Sequence, residues 1–120
     1  MSNGTYTFGY RSPRFRTDFH LFLQTQDRQT SLLDGRCTDI SEDGLGAEFR
    51  ASLEVGTAVA LIFTLPGNTT SVRVSARVTN RKGGFHGFVF LFSSQKERDY
   101  VYNYLDCLRA NVAFRPTPSK

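Results

Sequence analysis

Three residues with turn-forming and binding chemistry, Asp39, Ser41 and Gly44, lie close together in one six-residue segment. Asp39 can accept several hydrogen bonds, and Ser41 can both donate and accept. Gly44 can adopt a positive φ or let a ligand approach the backbone closely. Because Asp and Ser also bond to their own backbone in ordinary solvated turns, the segment by itself indicates only a turn between two predicted strands.

A second group of residues with binding chemistry lies upstream, in an N-terminal arm. Tyr10, Arg11, Arg14 and Arg16 precede a stretch that alternates like a strand, and the first sixteen residues contain no acidic residue. A locally cationic arm suggests a small anionic ligand. Pro13 restricts the residue before it to extended conformations, and we expect the arm to be mobile until a ligand orders it.

These two groups together resemble a known family. Arginines in an N-terminal arm, then a strand, then Asp-x-Ser-x-x-Gly at the end of the second strand are similar to the PilZ domain, a bacterial receptor module for cyclic di-GMP. The second family motif is complete at Asp39, Ser41 and Gly44. The first motif, Arg-x-x-x-Arg, is incomplete, because aligning its second arginine with Arg14 places Tyr10 at the first.

The resemblance implies a role for each residue that matches a motif. Arginine's planar fork can bond a phosphate in two places, can bond guanine O6 and N7 together, and can stack on a base. Arg14, and Arg11 beside Tyr10, would therefore contact phosphate or guanine. Asp39 would bind guanine N1–H and N2–H₂ or hold an arginine, and Ser41 and Gly44 would shape and line the site.

Length and composition predict one globular domain. A chain of 120 residues with 39% hydrophobic content and no low-complexity linker buries about two-thirds of the surface that its unfolded form exposes, so no disulfide or metal is needed. Cys37 and Cys107 lie far apart without a CxxC pattern, and no signal segment opens the chain. We therefore expect reduced thiols, a cytoplasmic location and, since no apolar run is long enough, no membrane insertion.

Apolar alternation predicts a mainly β fold, a six-stranded antiparallel barrel with a C-terminal α-helix, which is also the PilZ-like architecture. The strands are expected at residues 17–26, 31–40, 45–51, 57–65, 71–79 and 85–92. We expect Phe19, Leu21 and Leu23 to face inward, 57–65 to be a central strand, and Asp34-Gly35 to be an irregularity. The predicted parts are an arm over 1–15, a barrel over 16–93, a helix over 94–112 and a tail over 113–120.

The start of the helix is indicated by a capping box. The Ser94 hydroxyl can bond the backbone at Glu97, whose carboxylate can return to Ser94. An apolar stripe at helical spacing follows, which predicts a helix that covers an opening or edge of the barrel. A partner-binding helix is the alternative. The stripe consists of Tyr100, Val101, Tyr104, Leu105 and Leu108.

Other function classes find little support in the sequence. A net charge of +4 is modest for a nucleic-acid binder, so we expect no DNA or RNA partner. His20 and His86 fall in predicted strands without a Ser or Cys partner in a recognisable motif. A zinc site formed by these histidines with Cys37 and Cys107 lacks paired ligand spacing. We therefore expect no catalysis, no metal and no cofactor.

The function implied by the resemblance is that of a cyclic di-GMP receptor or adaptor. Ligand binding would change the conformation of the N-terminal arm and signal to a separate partner protein in trans. The alternative is a degenerate PilZ-like scaffold that works through protein contacts and no longer binds nucleotide, with Tyr10 as the trace of the lost site.

The Tyr10→Arg substitution tests position 10. Arginine can neutralise phosphate and fork across O6 and N7, whereas tyrosine can only stack or make one hydrogen bond. We expect cyclic di-GMP to bind more tightly by about 1.5–3 kcal/mol in calorimetric titration, with a steeper loss of affinity on adding salt. Weaker binding would show that Tyr10 itself stacks on a base, and no change in affinity or salt slope would place it outside the site.

Overall fold

Six segments with alternating apolar residues form strands that close into an antiparallel barrel. The computed structural model of the protein describes residues 13–25 and 32–114, with side-chain burial described as far as residue 110. Around the barrel the strand order is β1-β2-β3-β6-β5-β4, and β4 pairs back onto β1. The predicted six-stranded, mainly β fold with one C-terminal helix is thereby confirmed. The elements are β1 (Phe15–Thr25), β2 (Leu33–Ile40), β3 (Gly44–Phe49), β4 (Ala58–Phe63), β5 (Val72–Lys82), β6 (Phe85–Phe90) and α1 (Gln95–Phe114).

The interior of the barrel is filled by every second residue of each strand, since successive side chains of a strand point to opposite faces. Phe19, Leu21 and Leu23 of β1 are buried, as predicted. In β5 the buried side chains of Val74 and Ala76 alternate with exposed arginines. Removing this apolar surface from water is the main stabilising term of the fold.

Strand β4 was predicted to be central because its apolar run is too continuous for a strand with one wet face. It pairs with β1 on one side and β5 on the other. A closed barrel has no edge strands, so the distinction between central and edge positions does not apply. The apolar run in β4 is continuous because Ala60, whose side chain faces outward, is buried as well, with 5% of its surface exposed.

The irregularity predicted at Asp34-Gly35 is wrong. Gly35 pairs with Leu21 and with Phe49 without any shift in register. A Cβ at Gly35 would lie 2.3 Å from Cε1 of Phe49, so the glycine makes room for a buried ring instead of forming a bulge. The register shifts lie between Arg16 and Phe19, between Cys37 and Asp39, and between Val78 and Asn80.

The cap of α1 differs by one residue from the predicted capping box. The backbone N–H of Glu97 donates to the Ser94 hydroxyl over 3.2 Å, as predicted. The Glu97 carboxylate returns to Ser93 instead of Ser94, accepting from its backbone N–H over 3.0 Å and from its hydroxyl over 2.7 Å. The helix begins at Gln95, one residue after the predicted start at 94, and ends at Phe114, two residues beyond the predicted end at 112.

The apolar stripe of α1 packs onto the barrel. Val101 and Leu105 are fully buried and belong to the same core cluster as the strand side chains. The Tyr104 ring meets Phe19 of β1 edge-on, with ring centroids 6.5 Å apart. The helix therefore completes the barrel core. Within the described part of the chain, no helix is long and apolar enough to cross a membrane.

The Tyr100 hydroxyl joins α1 to the segment between β4 and β5. It accepts from the backbone N–H of Leu65 over 3.2 Å and donates to the backbone carbonyl of Thr70 over 2.6 Å. Leu65 is fully buried. Its N–H would therefore lose its partner without access to water if the hydroxyl were removed.

Tyr100→Phe should lower the free energy of unfolding by about 1–3 kcal/mol, because an unpaired buried N–H carries its desolvation cost. Urea denaturation measures the loss. Tyr102→Phe is the matched control, since no described residue forms a hydrogen bond with the Tyr102 hydroxyl and its ring packs against Phe92. Equal stability of the two variants would contradict the proposed contribution of the bridge.

Candidate functional site

The end of β2 presents Asp39 on the outer surface of the barrel. Ile40 faces inward and is fully buried, whereas the Asp39 side chain keeps 27% of its surface exposed. In register, Asp39 lies between Arg16 of β1 and Gly46 of β3. The register shift after Cys37 brings Asp39 opposite Gly46, so a local irregularity of β2 sets the direction of this carboxylate.

An ion pair joins the N-terminal segment to the stretch from Asp39 to Gly44, which we call the motif turn. Arg14 donates to Asp39 Oδ1 from Nε over 2.9 Å and from Nη2 over 2.6 Å. Arg14 Nη1 also lies 3.4 Å from the Ser41 hydroxyl oxygen. Three of the predicted site residues, Arg14, Asp39 and Ser41, therefore meet in space although Arg14 and Asp39 are 25 residues apart in sequence.

Ser41 mainly closes the turn between β2 and β3. Its backbone N–H donates to the Gly44 carbonyl over 2.8 Å, and its hydroxyl accepts from the Asp43 N–H over 3.2 Å. The hydroxyl also donates to the Gly44 carbonyl over 3.4 Å. Since Ser41 is 1% exposed, it presents little surface of its own and shapes the loop beside Asp39.

Gly44 is required by a neighbouring strand. The glycines with positive φ in the described part of the chain are Gly56, Gly67 and Gly83, so Gly44 does not use its left-handed freedom. A Cβ at Gly44 would lie 1.8 Å from the backbone carbonyl oxygen of Phe88. The glycine lets β3 approach β6 at the point where the motif turn enters the sheet.

The surface beside Asp39 contains residues that the sequence analysis did not single out. Gly46, Gly87 and Asn80 follow Asp39 in register across β3, β6 and β5. The Phe85 ring lies over Gly46: a Cβ there would be 2.7 Å from Phe85 Cζ and 3.0 Å from Asp39 Oδ2. Two glycines at outward strand positions, one on β3 and one on β6, were the sequence signal that could have identified these residues.

The thiol beneath the site is not a nucleophile. Cys37 Sγ lies 3.3 Å from both the Asp39 carbonyl and the Thr17 hydroxyl. Burial, the largest cause, raises the pKa of Cys37 from 9.0 to about 12. Cys37 is therefore a neutral thiol near pH 7 and serves as part of the barrel core.

The four residues considered for zinc lie in different surroundings. Cys37 is buried in the barrel and Cys107 is exposed on α1. His20 is exposed and paired with Asp34, while buried His86 is held by the Leu53 N–H and the Gly84 carbonyl. Among the residues that the structure describes, no cluster of three or more His, Cys, Asp or Glu could hold a metal ion.

The motif turn also contacts the helix. Arg109 Nη2 lies 3.4 Å from Glu42 Oε2, and Arg109 Nη1 donates to Asp106 over 2.8 Å. The turn that carries Ser41 is thereby joined both to the N-terminal segment and to α1. Tyr10 and Arg11, the other two candidate contacts, lie outside the described residues.

Comparison of the sequence with known protein families identifies one that it matches. The sequence model described as the PilZ domain matches residues 10–106, a region that includes the complete Asp-x-Ser-x-x-Gly motif. The chain belongs to the PilZ domain family. No curated protein sequence matches this PilZ domain significantly.

Solved structures share the fold. The PilZ domain of CeSA from a cellulose-synthesizing bacterium has a TM-score of 0.67 and 19% identity, over 82% of this chain and 99% of that chain. The PilZ domain of YcgR from Escherichia coli with c-di-GMP has a TM-score of 0.62 and 15% identity, over 89% and 99%. The MrkH–c-di-GMP complex from K. pneumonia has a TM-score of 0.66 and 13% identity, over 92% and 56%.

Gly44→Ala in this PilZ domain should lower the free energy of unfolding by about 3 kcal/mol or more, because the backbone carbonyl of Phe88 cannot move away without disturbing β6. Urea denaturation measures this cost. Gly67→Ala is the control: its φ is 89° and no atom lies within 4 Å of the added Cβ. Its strain should cost only about 1–2 kcal/mol, and an equal or smaller loss at Gly44 would contradict the steric interpretation.

Proposed function

We propose that this PilZ domain is a cytoplasmic receptor for cyclic di-GMP, which binds on the outer surface of the barrel around Arg14 and Asp39. The observation that carries the proposal is the Arg14–Asp39 pair, with Ser41 beside it. Two of the similar structures, those of YcgR and MrkH, contain c-di-GMP. The family and these neighbours support the ligand class, and the residues support the place.

The ligand needs two kinds of recognition, since it carries two phosphates and two guanines. Arg14 is suited to both, because a guanidinium has five N–H donors in a planar fork. Asp39 Oδ1 engages Nε and Nη2, and the Arg14 side chain remains 48% exposed. The two N–H groups that point to neither Asp39 nor Ser41 are available to a phosphate or to the O6 and N7 edge of guanine.

Asp39 was predicted either to bind guanine or to hold an arginine. Its contact with Arg14 supports the second role, because the carboxylate fixes the direction of the guanidinium before ligand arrives. No described residue donates a hydrogen bond to the other oxygen, Oδ2, which lies toward Gly46 and Phe85. That oxygen can accept one N–H of a guanine placed beside Asp39.

We assign Arg11, and Tyr10 as a weaker contact, to the remaining phosphate or guanine edges. Engaging them would change the conformation of the N-terminal arm and alter the surface that a separate partner protein recognises. Ordering an arm residue costs about 1–2 kcal/mol, so the contacts must offset a substantial entropic penalty. The affinity should therefore respond strongly to single substitutions in the site.

Calorimetric titration of the wild-type chain with cyclic di-GMP should show saturable binding that Arg14→Ala abolishes. The lost charge-assisted bonds should cost about 2–5 kcal/mol of binding free energy. The Tm of the free protein should change little, because an exposed ion pair contributes about 0–1 kcal/mol.

Arg73→Ala is the matched control for lost charge. Arg73 is also an exposed arginine with a side-chain hydrogen bond, here to Gln24, but it lies on β5. Its removal should leave the affinity for cyclic di-GMP unchanged. Undiminished binding of cyclic di-GMP by Arg14→Ala would exclude Arg14 from the site. If the wild-type protein itself releases no heat and binds no ligand, the result would support the nucleotide-independent scaffold instead.

A further inference from the structure

Strand β5 carries a column of positive charge on the outside of the barrel. Arg73, Arg77 and Lys82 are exposed and occupy outward positions, while Val74, Ala76 and Val78 between them face the core. Arg73 and Lys82 are nine residues apart, which corresponds to about 30 Å along a strand. We refer to Arg73, Arg77 and Lys82 as the basic column.

The basic column has no acidic neighbours on the strands beside it. Strand β4 reads Ala-Val-Ala-Leu-Ile-Phe and strand β6 reads Phe-His-Gly-Phe-Val-Phe, so neither carries a carboxylate, and β5 itself has none. Among the described residues, no salt bridge involves Arg73, Arg77 or Lys82. Two other arginines do have carboxylate partners, since Arg14 pairs with Asp39 and Arg36 pairs with Asp18.

An exposed phenylalanine and a half-buried isoleucine lie next to one end of the basic column. Ile62 of β4 is the register partner both of Arg73 and of Phe22 on β1. Phe22 is 40% exposed although it is a large apolar residue. Phe22 and Ile62 line a pocket of about 330 Å³, together with His20, Thr64 and Ser71. The basic column thus ends beside a pocket in which Phe22 and Ile62 form an apolar wall.

We propose that this face is a docking surface for an acidic segment of a partner protein. A large apolar side chain of the segment occupies the Phe22–Ile62 pocket, and carboxylates that follow it pair with Arg73 and Arg77. Charge complementarity accounts for the unpaired cations, and burial of the apolar anchor accounts for the exposed phenylalanine. Neither Arg14 nor Asp39 belongs to this face, so the proposal does not depend on nucleotide binding.

The chemistry of this face favours a protein segment over a nucleic acid. Single-stranded nucleic acids are held by aromatic rings interleaved with cations along the track. The outward neighbours of Arg77 are Ala58 and Val89, which cannot stack on bases. Among the phenylalanine side chains that the structure describes beside the column, only Phe22 is exposed, and its ring is stacked on His20, with centroids 5.3 Å apart and an interplanar angle of 21°.

The experiment is a selection of random dodecamer peptides, displayed on phage, against the immobilised full chain. The enriched sequences should combine Asp and Glu with a large apolar residue. A labelled peptide from the selection is then titrated by fluorescence anisotropy. Arg73→Glu with Arg77→Glu should weaken its binding by about tenfold or more, and Arg73→Gln with Arg77→Gln by a smaller factor, since charge is removed but not reversed.

The control variant carries Arg50→Glu with Lys96→Glu, an equal charge change at two exposed residues outside the face. It should bind the peptide as the wild type does, whereas Ile62→Ser should weaken binding by removing the apolar anchor site. Enriched peptides without an acidic bias, or binding unaffected by the substitutions at Arg73 and Arg77, would overturn the proposal. The proposal would also be overturned if the wild type bound a twenty-residue oligothymidylate but not the peptide, and if the charge-reversed variant no longer bound the oligothymidylate.

Discussion

Burial of alternate side chains inside a closed barrel is the constraint on which the rest of this structure depends. The inward residues of all six strands and two residues of α1 belong to one core cluster. Because side chains alternate along a strand, fixing the inward set also fixes which residues face out. Asp39 is exposed as a consequence of Ile40 being buried, and the basic column is exposed because Val74, Ala76 and Val78 are buried.

Breaks in this alternation set the geometry of the candidate site. Strand β2 shifts register between Cys37 and Asp39, and β1 shifts between Arg16 and Phe19. These adjacent irregularities lie where the Asp39 carboxylate meets Arg14. Bulges redirect side chains at the ends of sheets, and they are common at binding sites. The site therefore combines a rigid barrel wall with a local departure from regular pairing.

The motif turn links the segment before β1 to helix α1. Arg14 contacts it from the N-terminal side through Asp39 and Ser41, and Arg109 contacts it from α1 through Glu42. Both ion pairs are partly exposed, so each contributes little to stability. Weak, exposed contacts can exchange partners at small cost, which suits a turn at the proposed binding site.

The sequence by itself determined the strand and helix pattern and the inward set of β1. Local alternation and turn residues carry that information, because side-chain period and backbone preference are local properties. The PilZ resemblance also came from sequence, through Asp39, Ser41 and Gly44. The sequence could not reveal why glycine is needed at positions 44 and 35. Gly44 makes room for the backbone carbonyl of Phe88, and Gly35 makes room for the ring of Phe49.

Tertiary structure alone decided which distant residues share a surface. Gly46, Gly87 and Asn80 lie beside Asp39 only because the order β2-β3-β6-β5 and its register place them there. The same holds for Phe22, Ile62 and Arg73, which come from three strands and form one face. Strand order and register result from the packing of the whole barrel, and no local segment of the chain contains that information.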